Sequence, residues 1–379
     1  LVDEMHTLSK CWHFKIAITI GLLFAAGCKA GLPTVANSHL TPIVESSSTP
    51  IVVTTSAFAA AGTNTPLVTP SASHSPVPSA TRTPTQTPDP YEGLSIDSLM
   101  ERAYGGGSIS MEETLAVNSY FTRTLFSYPS DGLRIYGFMN VPNRGTPPYP
   151  VIIALHGYIN PDLYDTLDYT TRYADALARA GYLVLHPNLR GYPPSEDGDN
   201  LFRVGMAIDV MNLIALIKDG VGDTGPLANA ERDAIGVWGH SMGGGISTRV
   251  ITISPDVRAA VLYGAMSDDE QKNFQRIFNY FSNGQRGLEE LDYPPEAFER
   301  ISPIDYLDRI QAAVSIHHGK NDPDVPLAWS MDLCQRLQDL GKSVECFTYE
   351  DQGHTFYDDG DTLFMGRMIE FFDRQLKLP

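Results

Sequence analysis

The chain has 379 residues, of which 42% are apolar and 10% aromatic, a composition that fits a large domain with a hydrophobic core and excludes a wholly disordered or coiled-coil protein. The formal net charge is −18, and residues 1–90 contribute none of it because their four basic and four acidic residues cancel. The acidic charge therefore lies in residues 91–379, which would repel phosphate backbones, so nucleic acid is excluded as a partner.

Residues 1–28 are predicted to be an export signal. A basic segment containing Lys10 and Lys15 precedes an apolar run at 16–26, which at 11 residues is too short to cross a bilayer as a helix. Small residues then lead to Cys28, in a pattern that resembles the bacterial lipobox, whose cysteine is lipidated. We therefore expect an exported protein held on the extracytoplasmic face of the membrane only by lipid on Cys28. Plain secretion and a retained anchor helix are the alternatives.

Residues 29–90 are predicted to be a disordered linker. Within them, residues 31–90 contain 10 Pro and 21 Ser or Thr but three charged residues. Such a segment buries too little apolar surface to offset the entropy lost on ordering it. The linker would hold the domain that follows away from the membrane surface.

Residues 91–379 are predicted to form one α/β domain, which begins with two helical segments and a hairpin. Helical character is expected at 96–102 and 110–119, which three consecutive glycines separate. Residues 121–128 and 133–141 are rich in β-branched and aromatic side chains and flank a Pro-Ser-Asp-Gly turn. This pattern predicts an antiparallel hairpin.

From residue 151 onward, short apolar segments alternate with helical ones. Strands are predicted at 151–155, 182–186, 234–238, 257–263, 312–317 and 344–349, and helices at 171–180, 204–218, 241–252, 328–340 and 365–376. Continuously apolar strands alternating with helices indicate a mostly parallel, doubly wound sheet covered on both faces. Residues 265–305 interrupt the alternation with an aromatic and charged helical segment, which is either a cap over the carboxyl edge of the sheet or a packing excursion.

The most specific motif is Gly239-His240-Ser241-Met242-Gly243, between a predicted strand and a predicted helix. A GxSxG motif in this context is typical of a nucleophilic serine held in a strained turn, where small flanking residues allow close approach of the backbone. We therefore predict that Ser241 is a nucleophile. The alternative is a glycine-rich turn with an unreactive serine.

These residues resemble the α/β-hydrolase superfamily and, within it, the catalytic domain of the prolyl oligopeptidase family of serine peptidases. The resemblance covers about residues 120–379. It rests on Asn-Leu-Arg-Gly at 188–191, Trp-Gly-His-Ser-Met-Gly-Gly at 238–244 and Ser-Pro at 302–303. The resemblance implies an α/β-hydrolase fold and a Ser-His-Asp mechanism that requires no cofactor or metal.

A serine nucleophile needs a base, and the base needs an acid that fixes its tautomer. In α/β-hydrolases the acid precedes the histidine along the chain. The resemblance assigns the base to His354, in Asp-Gln-Gly-His-Thr-Phe, and the acid to Asp322, which precedes a short run ending in Val325-Pro326. Asp324 is the competing candidate for the acid.

The negative oxygen of a tetrahedral intermediate needs backbone N–H donors. Met242, next to the nucleophile, is expected to supply one donor. By resemblance, Tyr158 in His156-Gly157-Tyr158 supplies the other. Many family members carry a second glycine here, whereas tyrosine appears in esterase relatives, so Tyr158 favours ester substrates.

Two further features leave alternatives open. Arg190 could bind a substrate carboxylate or form a structural ion pair with Asp209. Cys334 and Cys346 lie on a predicted helix and the next predicted strand, and export would permit a disulfide between them. Two buried free thiols are the alternative. The sequence contains no clustered Cys and His spacing that suggests a metal site.

The sequence therefore predicts an exported serine hydrolase that acts on a peptide or small-molecule substrate. Cleavage of peptide or amide bonds through an acyl-enzyme is the favoured activity. A carboxylesterase acting on small or polysaccharide-linked acyl esters is the first alternative, and a non-catalytic surface-binding lipoprotein is the second.

Overall fold

The computed structural model describes residues 90–220 and 224–377. The predicted export signal, Cys28 and the predicted linker up to residue 89 lie outside these ranges. Within the described ranges, no helix combines the length and the apolar character that crossing a bilayer requires.

In the described part of the chain, nine strands form one mixed sheet in the order β1-β2-β3-β5-β4-β6-β7-β8-β9. The strands are β1 (Ser110–Val117), β2 (Phe121–Ser130), β3 (Leu133–Pro142), β4 (Tyr149–Leu155), β5 (Leu183–Pro187), β6 (Ala230–His240), β7 (Val257–Tyr263), β8 (Ala313–Gly319) and β9 (Val344–Tyr349). Pairing is antiparallel from β1 to β5 in sheet order and parallel from β5 to β9. The predicted mostly parallel sheet with N-terminal antiparallel strands is confirmed.

The helical character predicted for residues 110–119 is wrong, because this segment forms the edge strand β1. Its Met, Glu, Leu and Ala residues are good helix formers, but the segment pairs along β2 instead. Glu112 fixes this edge by accepting hydrogen bonds from Ser127 Oγ at 2.5 Å and from the Arg134 guanidinium at 2.7 Å. The predicted hairpin is thus the second half of a three-stranded antiparallel unit.

The helices lie close to their predicted positions. They are α1 (Ile96–Glu101), α2 (Thr171–Arg179), α3 (Val204–Asp219), α4 (Met242–Ile253), α5 (Glu270–Arg276), α6 (Leu288–Leu291), α7 (Pro295–Ile301), α8 (Leu327–Asp339) and α9 (Asp358–Leu376). The largest difference is α9, which begins at Asp358 rather than at residue 365. Three aspartates in its first turn offset the positive end of the helix dipole and explain the earlier start.

Alternate residues of the central strands pack on opposite faces of the sheet. Val151, Ile153 and Leu155 of β4 belong to a core cluster shared with α3 and α4, whereas Ile152 and Ala154 belong to a second cluster shared with α2 and α9. Helices therefore cover both faces, and the carboxyl ends of β4, β6, β7, β8 and β9 meet at one edge. Ligand sites in open α/β sheets lie outside this edge.

Candidate active site

Ser241 occupies a strained turn between the end of β6 and the start of α4. Its backbone angles are φ 55° and ψ −115°, in a region that residues with a side chain rarely adopt. Its N–H donates to the Tyr263 carbonyl at 2.9 Å, and its own carbonyl accepts from the Met266 N–H at 3.0 Å. These two bonds to the end of β7 hold the strained conformation in place.

The glycines of the motif are required by close backbone contacts. A Cβ atom on Gly239 would lie 2.3 Å from the Gly243 carbonyl oxygen. A Cβ atom on Gly243 would lie 2.3 Å from the Leu155 carbonyl oxygen at the end of β4. A side chain at either position would push these backbone segments apart. The close packing therefore requires glycine at both positions of the motif.

The loops after β8 and β9 bring Asp322 and His354 together. His354 Nδ1 lies 2.8 Å from Asp322 Oδ2. The Asp322 side chain is fully buried, and 16% of the His354 side chain is exposed. A carboxylate accepts, so Nδ1 carries the proton and donates it, and Nε2 of neutral His354 is left able to take a proton. This contact is made by Asp322, not by the competing candidate Asp324.

Four donors surround the Asp322 carboxylate. Besides His354, the side chain of His318 contacts Oδ2 through Nε2 at 3.2 Å, and the backbone N–H groups of Asp324 and Val325 donate to Oδ1 at 2.8 and 2.9 Å. Burial alone would raise the pKa of Asp322, but the hydrogen bonds from His318 and His354 outweigh it and hold the pKa well below its usual range. Asp322 is therefore ionised at neutral pH.

His318 was not assigned a role from the sequence. It is buried on β8, its Nε2 also donates to the Val325 carbonyl at 3.0 Å, and its Nδ1 lies 2.7 Å from Ser330 Oγ. The sequence signal was its position four residues before Asp322, at the end of the strand that leads to the acid.

Asp322, Asp324 and His354 each offer a ligand atom within 4.8 Å of the others, and such a group could hold a cation. Metal ligation requires deprotonated ligand atoms. A cation bound between Asp322 and His354 would displace the proton that they share, so it would compete with the arrangement described above.

The two predicted oxyanion donors flank Ser241. Met242 is the first residue of α4, so its N–H has no acceptor within the helix. The loop that carries Tyr158 packs against the nucleophile, since a Cβ atom on Gly157 would lie 3.1 Å from Ser241 Cβ. Among residues 90–220 and 224–377, no protein acceptor takes a hydrogen bond from the Tyr158 N–H.

Two clefts meet at Ser241, and Tyr158 and His354 line both of them. The larger has a volume of about 530 Å³ and the smaller about 260 Å³. The larger is mainly apolar, with Tyr192, Met206, Met242, Met266, Phe274, Ile277 and Phe281 in its walls. A substrate bound at Ser241 can therefore extend to either side of the bond that reacts.

The segment at 265–305 contributes Phe274, Ile277, Phe281, Arg286 and Glu290 to the wall of the larger cleft. The sequence predicts either a cap or a packing excursion for this segment. These side chains line the cleft that contains Ser241, which is where a cap would contact substrate.

A buried ion cluster ties this segment to the nucleophile helix. Glu270 of α5 accepts from Arg249 of α4 at 2.7 Å and also pairs with Arg203. All three side chains are at least nine-tenths buried. Loss of one member would leave a buried charge unpaired, so the attachment is fixed rather than loose.

Arg190 is a structural ion-pair residue. Its guanidinium lies 2.8 Å from Asp209 Oδ1, and it also donates to the Asp199 carbonyl at 2.7 Å. Both side chains of the pair are buried. The predicted pairing with Asp209 is confirmed, and it occupies the group that could otherwise have bound a substrate carboxylate.

The structure joins Cys334 of α8 to Cys346 of β9 by a disulfide, with their Cα atoms 6.4 Å apart.

The family model described as the prolyl oligopeptidase family matches residues 168–379. A peptidase of Bacillus subtilis, itself uncharacterised, is 27% identical over 186 residues, which are 47% of this chain and 67% of that protein.

Solved structures show the same fold. Acylaminoacyl peptidase of Pyrococcus horikoshii superposes with a TM-score of 0.55 at 24% identity, over 69% of this chain and 42% of that one. Acetyl xylan esterase 1 of Thermoanaerobacterium superposes with a TM-score of 0.53 at 19% identity, over 74% of this chain and 92% of that one. The chain thus spans less than half of the peptidase and most of the esterase.

Proposed function

The chain belongs to the prolyl oligopeptidase family of serine hydrolases, and we propose that it cleaves peptide or amide bonds through an acyl-enzyme on Ser241. The observation that carries this proposal is the hydrogen bond between Asp322 and His354 beside the cleft that Ser241 also lines. The hydrogen bond fixes the tautomer of the base, and the base lines the same cleft as a serine held in a strained turn.

In the acylation step, His354 Nε2 takes the proton of Ser241 Oγ while Oγ forms a bond to the carbonyl carbon of the substrate. The carbonyl oxygen becomes negative, and the N–H groups of Tyr158 and Met242 stabilise it. The imidazolium of His354 is stabilised by Asp322. It then gives its proton to the leaving nitrogen as the carbon–nitrogen bond breaks.

In the deacylation step, water replaces the leaving group. His354 takes one proton from the water while the water oxygen forms a bond to the acyl carbon. His354 then returns that proton to Ser241 Oγ as the ester bond breaks, which releases a carboxylic acid and the free enzyme.

A carboxylesterase is the second candidate, favoured by one residue. Tyr158 stands where many members of the peptidase family have glycine. Its side chain is 50% exposed and lines both clefts, and the guanidinium of Arg286 lies over its ring at 4.5 Å from the ring centre. Such a wall narrows the space beside the nucleophile and suits a small acyl ester.

The nucleophile assignment is tested by labelling with a fluorophosphonate probe. Native protein should be labelled, and Ser241→Ala should not. Ser254→Ala is the matched control, because Ser254 ends the same helix and its hydroxyl bonds only to the nearby Asp256 N–H among the described residues. Labelling that persists in Ser241→Ala would show that another residue is the nucleophile.

The bond class is tested by comparing amide substrates with ester substrates. We expect p-nitroanilides of short peptides to be cleaved with a higher kcat/KM than acetyl or butyryl p-nitrophenyl esters, after correction for the uncatalysed rates. Turnover of the esters alone would replace the peptidase proposal by the esterase one. No turnover of either class would support a binding lipoprotein.

We also propose that the protein is exported and anchored by lipid on Cys28. The apolar run at 16–26 and the small residues before Cys28 support this proposal. In a bacterial host, wild-type protein should sediment with membranes and incorporate labelled palmitate, whereas Cys28→Ser should do neither. Cys334→Ser is the control for loss of a cysteine elsewhere. Membrane-bound Cys28→Ser would refute the lipid anchor.

A further inference from the structure

Three hydrogen bonds in series connect the loop after β4, the nucleophile turn and the loop that carries His354. Gly157 N–H donates to Tyr169 Oη at 3.0 Å. Tyr169 Oη lies 2.6 Å from His240 Nδ1, and His240 Nε2 lies 2.9 Å from the His354 carbonyl oxygen. We propose that Tyr169 and His240 are positioning residues for the reaction at Ser241, an inference that rests on the proposed function.

Chemistry fixes the direction of every bond in the series. A carbonyl oxygen only accepts, so His240 Nε2 must carry a proton and donate it to His354. In a neutral imidazole the other nitrogen, Nδ1, is then an acceptor, so the Tyr169 hydroxyl donates to it. The lone pairs of that hydroxyl remain available for the Gly157 N–H.

The charge state that this direction needs is maintained by burial. His240 is 2% exposed, and burial, together with the nearby His354, lowers the pKa of His240 to about 3. Burial raises the pKa of the Tyr169 hydroxyl above its usual range. Both side chains are therefore neutral at neutral pH.

The series cannot relay protons, because it begins at a backbone N–H and ends at a backbone carbonyl. Its effect is on position. Gly157 precedes the oxyanion donor Tyr158, and His240 precedes the nucleophile Ser241. The series ends at the backbone of His354, the base. It therefore links the three groups that take part in the reaction. The rings of His240 and His354 also pack, with centres 4.6 Å apart. Removing one of these hydrogen bonds would free the loop that carries Tyr158 to move relative to His354.

A positional role predicts a particular kinetic signature. Misplacing reacting groups by about 1 Å can cost about 10²-fold in rate. Tyr169 and His240 also line the smaller cleft, where loss of a direct substrate contact would raise KM. Loss of positioning instead lowers kcat and leaves KM nearly unchanged, since the walls of the larger cleft are intact.

The test uses Tyr169→Phe, which removes only the hydroxyl oxygen, with Tyr182→Phe as the matched control. Tyr182 is buried, and its hydroxyl donates to Asp373 at 2.6 Å on the opposite edge of the sheet. Steady-state kinetics on whichever substrate Ser241 turns over, the rate of fluorophosphonate labelling and the thermal midpoint are measured on the full chain. His240→Phe and the double variant complete a double-mutant cycle.

We expect Tyr169→Phe to lower kcat and the labelling rate by about 10- to 100-fold, with KM within threefold of wild type and activity of Tyr182→Phe unchanged. The double variant should lose no more than the worse single variant, because both substitutions break one series. A kcat for Tyr169→Phe within twofold of that for Tyr182→Phe, or losses that multiply in the double variant, would overturn the proposal. A lack of labelling at Ser241 in the wild type would instead refute the proposed function.

Discussion

His318 Nε2 lies 3.2 Å from Asp322 Oδ2, the same carboxylate oxygen that accepts from His354 Nδ1. The acid of the proposed triad therefore contacts two histidines, the buried His318 and the partly exposed His354. Each donor spreads the negative charge of Asp322, and the balance between them sets how strongly the carboxylate holds a protonated His354.

Substitution of His318 should change the pH dependence of the reaction. In His318→Asn, Asp322 loses a donor, becomes more basic and holds the protonated form of His354 more strongly. The acid limb of the kcat/KM profile should therefore move to higher pH, with a loss of about tenfold at its maximum. His317→Asn is the control, because His317 is buried on the same strand but bonds to Ser315 and Tyr349. An acid limb that stays in place would contradict this view of His318.

Asp322 and Asp324 should differ sharply in their importance. Asp322→Asn should lower kcat on the order of 10⁴-fold, because an amide can donate to Nδ1 and stabilise the wrong tautomer of His354. Asp324→Asn should keep kcat within about tenfold, since Asp322 makes the contact with Nδ1. Steady-state kinetics at neutral pH checks both. Equal losses in the two variants would mean that the two acids act together.

Asp268 should destabilise the fold at neutral pH. Burial raises its pKa from 3.8 to about 6, and its Oδ2 has no hydrogen-bond partner within the described ranges. The folded state therefore binds the proton more tightly than the unfolded state, and the stability associated with protonation is present below about pH 4 and lost as the pH rises through 6.

Replacement of Asp268 by asparagine removes the charge and should raise stability above pH 6, by up to about 3 kcal/mol, with little change at pH 4. Thermal unfolding across that pH range measures the difference. Asp269→Ala is the contrasting control: Asp269 caps α5 by accepting from the Lys272 N–H at 3.2 Å, so its loss should cost about 1 kcal/mol. A stability gain from Asp268→Asn that is equal at pH 4 and pH 8 would contradict the assignment.

The disulfide between Cys334 and Cys346 should stabilise the C-terminal part of the sheet. It closes a loop of sequence separation 12, for which a chain-entropy model gives about 3 kcal/mol. The Cys334→Ser/Cys346→Ser variant should unfold at a lower temperature, and a reducing agent should lower the midpoint of wild type but not of the variant. An unchanged midpoint under reduction would indicate that the bridge is absent in solution.

Much of the fold could be predicted because the parallel strands are continuously apolar and their helices end at clear signals. Gly181, for example, follows α2 with φ 95°, as a glycine at a helix end should. The helix prediction for residues 110–119 was wrong because helix-forming side chains carry no information about the partner strand β2, which lies later in the chain. Propensity is local, whereas strand pairing depends on which neighbour is present.

Ser241, Asp322 and His354 could be singled out by motif and order along the chain. The roles of Tyr169 and His318 could not. Tyr169 contacts His240 across 71 positions of sequence, and no spacing rule links them. The position of His318 near the end of β8 can be predicted from the sequence. Its contact with Asp322 depends on the conformation of the turn after β8, which the sequence alone does not predict.

The segment at 265–305 is inserted between β7 and β8, whereas Ser241, Asp322 and His354 follow β6, β8 and β9. The three residues of the proposed triad and one part of the wall of the larger cleft are therefore encoded in separate stretches of the chain. Exchange of that segment between relatives, with Glu270 retained as its anchor, could change what the protein accepts while leaving the reaction intact. Substrate range can in this way evolve independently of chemistry.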